Sequence, residues 1–241
     1  HPPHEPNNVP EDKSTYNDFA EERITEKITP EVHVVLDANT SSAYSYNKQA
    51  ITDYLSVLAA AANLRYRSVT KPSVRLTIVA VTLLKENTQT FMKFYKRNKE
   101  QVEFQGTLSA FDSYYQNDPE FNNADIYFLL TGLDIVGVAT DGSVMPQFSG
   151  YAYLSRVCTV FKVGMSEDEP KSYDGVHLFS HEIAHLLGCA HDEDPPDGTM
   201  KGHPGSKNCP WNDGYIMSYV INFKHHYTFS PCCVKSIRFV A

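Results

Sequence analysis

Apolar residues follow two spacings along this chain, one typical of strands and one typical of helices. β-Branched residues are enriched over 31–37 and over 74–84, and nearly every residue of 125–131 is apolar. These runs predict three strands, the second largely buried and the third covered on both faces. A fourth strand is predicted over 150–156, and 157–163 either continues the sheet or returns along it.

Helical spacing appears between and after these runs. From Asn47 to about Arg67, apolar side chains recur three and four residues apart, as in a helix that buries one face. Two more helices are predicted, a short one over 107–115 and a closing one from about 230 to 240. Helices that alternate with covered strands predict an α/β fold with a twisted, mixed sheet.

Other stretches are charged or rich in turn-forming residues. We interpret the basic stretch 91–100 as a solvated helix or loop face, 134–148 as a loop and 167–172 as an acidic loop. Residues 1–29 are polar and lack a sustained period, which predicts an N-terminal tail or linker that is disordered at least to about Val9.

Composition narrows the classes of partner. The chain has 241 residues, 41% of them hydrophobic, which is enough for one packed domain. A formal net charge of −8 argues against nucleic acid or an anionic membrane as the main partner. No apolar run approaches the roughly 20 residues of a membrane-spanning helix. Because the chain neither starts with Met nor shows a signal peptide, we expect a mature or excised form.

The strongest chemical signal is the run SHEIAHLLGCAHD over 180–192. His181 and His185 stand four residues apart, so on a helix their imidazoles project from one face and can hold two corners of a tetrahedral zinc site. Glu182 lies too far round the helix to be an equivalent ligand. It can instead accept a proton from water at the site.

A glycine follows this helical segment. Gly188 allows a left-handed or other tight turn that carries His191 back toward the same metal as a third ligand. Three protein ligands leave a fourth position for water, which is typical of a catalytic rather than a structural zinc site.

These residues resemble a known family. HEIAHLLGCAHD is similar to the HExxHxxGxxHD signature of the metzincin zinc endopeptidases, and Asp192 resembles the reprolysin (adamalysin-like) branch, as in venom and tick-salivary metalloproteases. GYIMSY over 214–219 resembles the metzincin Met-turn, whose methionine, here Met217, lies beneath the zinc-binding histidines.

The resemblance implies a domain organisation. It implies a metzincin-like α/β (α+β) catalytic domain over 30–241, with a twisted, mixed five-stranded sheet and helices. The upper subdomain would cover 30–191, and a small, irregular lower subdomain would cover 192–241. Asp192 would anchor the loop by a hydrogen bond near the base of the site.

It also implies the chemistry. Zn²⁺ would be bound by His181, His185 and His191, with Glu182 as the catalytic base. An extended peptide would add to the edge strand over 150–156. Residues 219–223 would line a pocket that favours a hydrophobic side chain after the scissile bond.

The function predicted is therefore a secreted, extracellular zinc metalloendopeptidase that cuts extracellular proteins and acts as a monomer, with no nucleic-acid partner and no membrane span. The alternative is a catalytically weak, zinc-bound toxin or binding protein that acts by occupying a partner. A zinc hydrolase of small substrates is disfavoured by the Met-turn. The intact Glu182 favours the enzyme over the binding protein.

Five cysteines allow two disulfides and one leftover thiol, and favour an extracellular protein. The family resemblance implies that Cys158 pairs with Cys232 or Cys233. We expect Cys189, within the zinc loop, to pair with Cys209, which would brace the active-site loop against the approach to the Met-turn. Buried reduced thiols are the alternative for these cysteines.

Two further features depend on the resemblance. Ala184 and Tyr219 stand where reprolysins usually have Gly and Pro, and the sequence Met-Ser-Tyr resembles the Met-turn of the serralysins, in which the tyrosine approaches zinc. A packed aromatic ring is the alternative for Tyr219. Glu31 and Asp125 resemble two family ligands of a structural Ca²⁺, although strand-end solvation explains two acids equally well.

Overall fold

A computed structural model describes residues 25–241, except 97, 120–122, 146 and 222. Most of the predicted N-terminal tail, residues 1–24, lies outside the described residues. The described chain forms eleven strands and five helices. The strands are β1 (Lys27–Ile28), β2 (Glu31–Leu36), β3 (Ser73–Val74), β4 (Thr77–Leu83), β5 (Phe94–Tyr95), β6 (Asn98–Glu103), β7 (Ile126–Thr131), β8 (Asp134–Val138), β9 (Val144–Met145), β10 (Gly150–Ala152) and β11 (Val163–Glu167). The helices are α1 (Ala38–Ala43), α2 (Lys48–Tyr66), α3 (Phe104–Gln116), α4 (Val176–Leu186) and α5 (Pro231–Val240).

The main sheet has five strands in the order β10-β11-β7-β2-β4. β11, β7, β2 and β4 run parallel, whereas the edge strand β10 is antiparallel to β11. The mixed α/β architecture with a five-stranded sheet is thus confirmed. The antiparallel edge lies beside the helix α4, which carries the histidines.

Alternate residues of the central strands point to opposite faces of the sheet. Both faces are buried at these strands, each in a different core. Val34 and Phe128 belong to a core shared with α2 and α4, whereas Val35 and Leu129 belong to a second core shared with α3. All six residues of β7 are buried, as the unbroken apolar run predicted. The sheet therefore packs against α4 with one face and against α3 with the other.

Two predicted helices begin at recognisable caps. The Asn47 side chain accepts from the amide of Ala50 at 3.1 Å where α2 begins. Ser230 precedes α5 and accepts from the amide of Cys233 at 3.3 Å. Such caps satisfy amides that have no partner within the helix, and they confirm the predicted starts to within a residue.

Several strand predictions were wrong. The 74–84 strand is not largely buried, because β4 is an edge of the sheet and leaves Val79 42% exposed. The predicted loop over 134–148 contains β8 and β9, and the basic stretch contributes β5 and part of β6. These strands form a second sheet in the order β5-β6-β8-β9. Its β6–β8 pairing joins residues more than thirty positions apart, which periodicity does not reveal.

The remaining differences concern strand boundaries. The strand predicted over 157–163 begins only at its last residue, and β11 instead runs through Glu167, the first residue of the predicted acidic loop. At the other end of the chain, β1 pairs in parallel with β3, so Lys27 and Ile28 belong to the folded domain rather than to the tail.

The predicted disulfides were also wrong. The structure joins Cys189 to Cys233 and Cys209 to Cys232. Successive residues on a helix point about 100° apart. The two adjacent cysteines in the first turn of α5 therefore face two different loops. Both bridges tie the C-terminal helix to the irregular region that follows α4.

No helix among the described residues is both long and apolar enough to cross a membrane.

Candidate metal centre

Three histidine side chains converge at the C-terminal end of α4. Their Nε2 atoms lie 3.1 Å apart for His181 and His191, 3.1 Å for His181 and His185, and 3.2 Å for His185 and His191. All three residues are buried. Within the described part of the chain, they form the one cluster of three or more His, Cys, Asp or Glu residues that could hold a metal ion.

The hydrogen bonds of the Nδ1 atoms determine which ring nitrogen can bind a metal. Nδ1 of His181 lies 2.8 Å from the carbonyl oxygen of Ile216, and Nδ1 of His185 lies 2.6 Å from that of Cys189. A carbonyl can only accept, so each Nδ1 carries the proton and donates it. Each Nε2 therefore presents a lone pair to the centre of the cluster.

This arrangement fits zinc. Four ligands at the usual Zn–N distance of about 2.0–2.1 Å place neighbouring nitrogens about 3.3 Å apart in a tetrahedron, close to the spacing observed here. Burial, together with the neighbouring His191, lowers the pKa of His181 to about 3, so its imidazole is neutral. Converging neutral lone pairs repel one another unless a cation lies between them.

Gly188 makes the turn that returns the chain to the site. Its φ is +108°, and the amides of Gly188 and Cys189 donate to the carbonyls of His185 and Ala184 at 2.9 and 2.8 Å. This pattern is a Schellman motif, which ends a helix with a left-handed residue. A Cβ at Gly188 would stand 2.6 Å from Val240 Cγ2. The tight turn predicted at this glycine is confirmed.

A buried histidine that the sequence did not single out supports the same turn. His203 Nε2 donates to the carbonyl of Gly188 at 2.7 Å, and its Nδ1 accepts from the amides of Asp197 and Gly205, both at 3.1 Å. It therefore cross-links three stretches of irregular backbone. No local pattern in the sequence marks this role.

The predicted Met-turn contacts the histidine site through its backbone. Met217 is fully buried, and its carbonyl accepts from the amide of Asp192 at 2.9 Å. The preceding carbonyl, of Ile216, holds His181. The Asp192 carboxylate accepts from Ser230 Oγ at 2.6 Å and so joins the loop to the start of α5. Burial raises the pKa of Asp192 to about 6.

Glu182 is buried between α4 and the sheet edge. Burial raises the pKa of its carboxyl well above the ordinary value. The side chain lies directly against Gly150, the first residue of β10. The candidate base thus stands between the histidine cluster and the edge strand.

Tyr219 also contacts the histidine cluster. Its hydroxyl lies 3.1 Å from Nε2 of His191, and its ring lies edge-on to Trp211 at 5.1 Å. Loss of water around the hydroxyl and the nearby Glu182 raise the pKa of Tyr219 to about 12. Of the two interpretations of this tyrosine, the structure favours approach to the site, because its hydroxyl contacts His191 while 68% of the residue surface is exposed rather than packed in the core.

The segment that follows the Met-turn is unusually apolar at the surface. Ile221 is 69% exposed and Phe223 is 90% exposed. These side chains belong to the segment that the resemblance assigned to a substrate pocket. The lining role remains a prediction.

Helix α4 is held in place by groups distant in sequence. Tyr66 Oη donates to the carbonyl of Ser180 at 2.9 Å. At the N-terminal end, the buried carboxylate of Asp168 accepts from the amide of Gly175 at 3.0 Å and from Tyr54 Oη at 2.7 Å. Sequence patterns did not single out these contacts, because each joins positions in different elements.

The two candidate calcium ligands lie together at the start of β2 and β7. The Asp125 carboxylate accepts from the amide of Glu31 at 2.9 Å and from the thiol of Cys158 at 3.3 Å. Calcium binding there remains a prediction. Cys158 is exposed and forms no disulfide.

Comparison with known proteins places this geometry in a family. A reprolysin family model described as metallo-peptidase family M12 matches residues 27–230. The chain is 29% identical over 220 residues to "Venom metalloproteinase antarease-like TserMP_B" of Tityus serrulatus, a match that covers 88% of this chain and 92% of that protein. It is 26% identical over 221 residues to "A disintegrin and metalloproteinase with thrombospondin motifs like" of Bombyx mori, covering 88% of this chain and 32% of that protein.

The chain spans 55% of another Tityus serrulatus relative, "Venom metalloproteinase antarease TserMP_A", so some relatives are considerably longer. Among solved structures, the chain resembles one titled "Structure of a chaperone-substrate complex", with a TM-score of 0.54 and 14% identity, covering 89% of this chain and 38% of that chain. At that identity the likeness concerns the fold alone.

Proposed function

The chain belongs to the reprolysin group of metallo-peptidase family M12, and from this premise we propose that it is a secreted zinc endopeptidase that hydrolyses peptide bonds of extracellular proteins. The observation that carries the proposal is the convergence of three imidazole Nε2 atoms at 3.1–3.2 Å beside the buried Glu182. The predicted ligands are His181, His185 and His191.

The donor set supports zinc in particular. Neutral imidazoles are common zinc ligands. The carbonyls that receive the Nδ1 protons of His181 and His185 orient these two rings and make their Nε2 atoms better donors. Bound zinc would supply a Lewis acid that polarises the scissile carbonyl and lowers the pKa of water toward 7. His181 and His185 lie on α4 and His191 on the loop that follows it, and their Nε2 atoms already converge, so little rearrangement is needed to form the site.

Glu182 is the proposed general base. It takes the proton of the water that attacks the scissile carbonyl carbon and passes it to the leaving amine as the C–N bond breaks. Burial favours the neutral carboxyl, but a cation held by the adjacent imidazoles favours the carboxylate that a base requires. The side chain therefore depends on a charged neighbour for its function.

Tyr219 is proposed to donate a hydrogen bond during the reaction. Its hydroxyl lies next to Nε2 of His191 and carries its proton at neutral pH, because its pKa is raised to about 12. A neutral donor aimed at the place where oxygen gains negative charge stabilises the transition state.

The substrate is proposed to bind as an extended strand. β10 ends the five-stranded sheet and runs antiparallel to β11, beside Glu182. A peptide laid along such an edge gains main-chain hydrogen bonds whatever its sequence. Side-chain preference would then come from the exposed apolar residues after the Met-turn.

Secretion is supported by the two disulfides, since disulfides persist mainly outside the reducing cytosol. The named venom relatives support the same location.

The test is cleavage of a mixed peptide library by the purified protein, with Glu182→Ala as the control. Cuts that require Glu182 and disappear with a zinc chelator would establish the endopeptidase and its side-chain preference. If the folded, zinc-loaded protein makes no cuts, the endopeptidase proposal is wrong and the binding-protein alternative takes its place.

A further inference from the structure

We propose that Gly150 is a positioning residue for Glu182, because its missing side chain leaves the space in which the carboxyl stands. A Cβ at position 150 would lie 2.7 Å from Oε1, 2.8 Å from Cγ and 2.9 Å from Cδ of Glu182. Nonbonded carbon and oxygen atoms do not approach so closely. The proposal rests on the assignment of Glu182 as the general base.

The backbone does not explain this glycine. Gly188 and Gly214 have positive φ angles, which favour glycine, but Gly150 does not. It lies in β10 opposite Ser166, in an ordinary antiparallel pair. Glycine weakens a strand, and within one it often marks a close approach by another group. Here the approaching group is the Glu182 side chain.

The neighbouring small residues have a different role. Ala152 lies two residues further along β10, on the same face as Gly150, and pairs with Gly164 of β11. A Cβ at Gly164 would contact Phe128 Cε2 at 3.0 Å and the Cβ of Ala152 at 3.1 Å, all within the core. The absence of a side chain at position 164 therefore allows the sheet to pack, whereas its absence at position 150 leaves space for the Glu182 carboxyl.

Alanine at 150 should displace the base without disturbing the metal ligands. The three atoms nearest to a Cβ at position 150 all belong to the Glu182 side chain, so this side chain is the group that must move. His181 precedes Glu182 and is held separately by the carbonyl of Ile216. We therefore expect Gly150→Ala to displace the Glu182 carboxyl while the histidine cluster stays intact.

The kinetic arm compares wild type, Gly150→Ala and the control Gly198→Ala with one peptide substrate. A Cβ at Gly198 would meet nothing within 4 Å. For Gly150→Ala we expect kcat to fall about tenfold or more, with KM within about twofold and zinc content unchanged, because small misplacements of a reacting group are costly. An unchanged kcat would overturn the proposal.

A stability arm does not depend on catalysis. Melting temperatures are measured for Gly150→Ala and Gly164→Ala, each with Glu182 present and with Glu182→Ala. We expect the Gly150→Ala loss to shrink by at least about half once Glu182 is removed, whereas the Gly164→Ala loss stays the same in both backgrounds.

The proposal would be overturned if Gly150→Ala changes the melting temperature by the same amount with and without Glu182, or does not change it in either background. If Gly150→Ala alone does not fold, folding of Gly150→Ala/Glu182→Ala supports the proposal and its failure to fold overturns it. A wild type without peptidase activity would contradict the proposed function alone, because the stability arm would still decide the role of Gly150.

Discussion

His181 and Ile216, 35 positions apart in sequence, are joined by a hydrogen bond of 2.8 Å from the imidazole Nδ1 to the backbone carbonyl. The bond leaves Nε2 of His181 as the atom that faces the other two imidazoles. It also links the first candidate ligand to the residue before the buried Met217. The turn beneath the site thus orients a ligand through its backbone, while the methionine side chain fills the core.

Replacing His203 should loosen the loop that returns His191 to the site. His203→Ala removes the partner of two buried backbone groups, the carbonyl of Gly188 and the amide of Gly205, and of the half-buried amide of Asp197. An unsatisfied buried group costs about 1–3 kcal/mol. We expect the free energy of unfolding to fall by at least the cost of one such group, about 1–3 kcal/mol, measured by urea denaturation. Lys207→Ala, at an exposed position of the same region, is the control and should change little.

A loss no larger than that of the control would show that the loop does not depend on His203.

Asp112 should make the protein more stable as the pH falls below neutral. Burial raises the pKa of this carboxyl from its ordinary value to about 6. At pH 7 the folded protein therefore holds an unfavourable buried charge, and protonation relieves the penalty between about pH 7 and pH 4. In Asp112→Asn this contribution, about 1–3 kcal/mol, should already be relieved at pH 7.

The check is urea denaturation of both proteins at pH 7 and pH 5. The variant should gain less stability than wild type between these two values. An identical change in both would mean that Asp112 does not titrate in this range.

The disulfide pairing can be read from an unreduced digest by mass spectrometry. We expect peptides that link Cys189 to Cys233 and Cys209 to Cys232. Cys158 is exposed and should be the one cysteine alkylated before reduction. Its reaction should be slow at pH 8, since partial desolvation of the sulfur and the nearby Asp125 raise the pKa of the thiol to about 11. A peptide that joins Cys158 to Cys232 or Cys233 would contradict the structure.

Tyr219→Phe should separate catalysis from metal binding. The change removes a hydroxyl 3.1 Å from Nε2 of His191 but keeps the ring that contacts Trp211. Loss of one transition-state donor lowers kcat by about 100-fold or somewhat more in well-studied enzymes. We expect a fall of at least about tenfold, with unchanged zinc content. A kcat equal to that of wild type in this variant would show that the Tyr219 hydroxyl does not act in catalysis.

The sequence was most informative where the geometry is local. Two histidines four apart and a glycine that ends the helix are consequences of helix periodicity and backbone sterics, and the structure brings His181, His185 and His191 together as that spacing predicted. Helix α2 and strand β7 were likewise visible from their own patterns.

Contacts between elements distant in sequence could not be predicted from local patterns. The pairing of β6 with β8, the edge position of β4 and the partners of Cys232 and Cys233 depend on how separate elements meet. Gly150 is intermediate. A glycine within a strand is a signal of close approach, but only the structure identifies Glu182 as the neighbour.

The most direct test of the proposed function compares wild type with Glu182→Gln at equal, measured zinc content. Glutamine keeps the size of the buried side chain but cannot accept a proton as a base. We predict that kcat/KM for one peptide falls by about 10²–10⁴-fold, the usual contribution of general base catalysis, while each protein binds one zinc per chain. Equal zinc content with kcat/KM within about threefold of wild type would contradict the account.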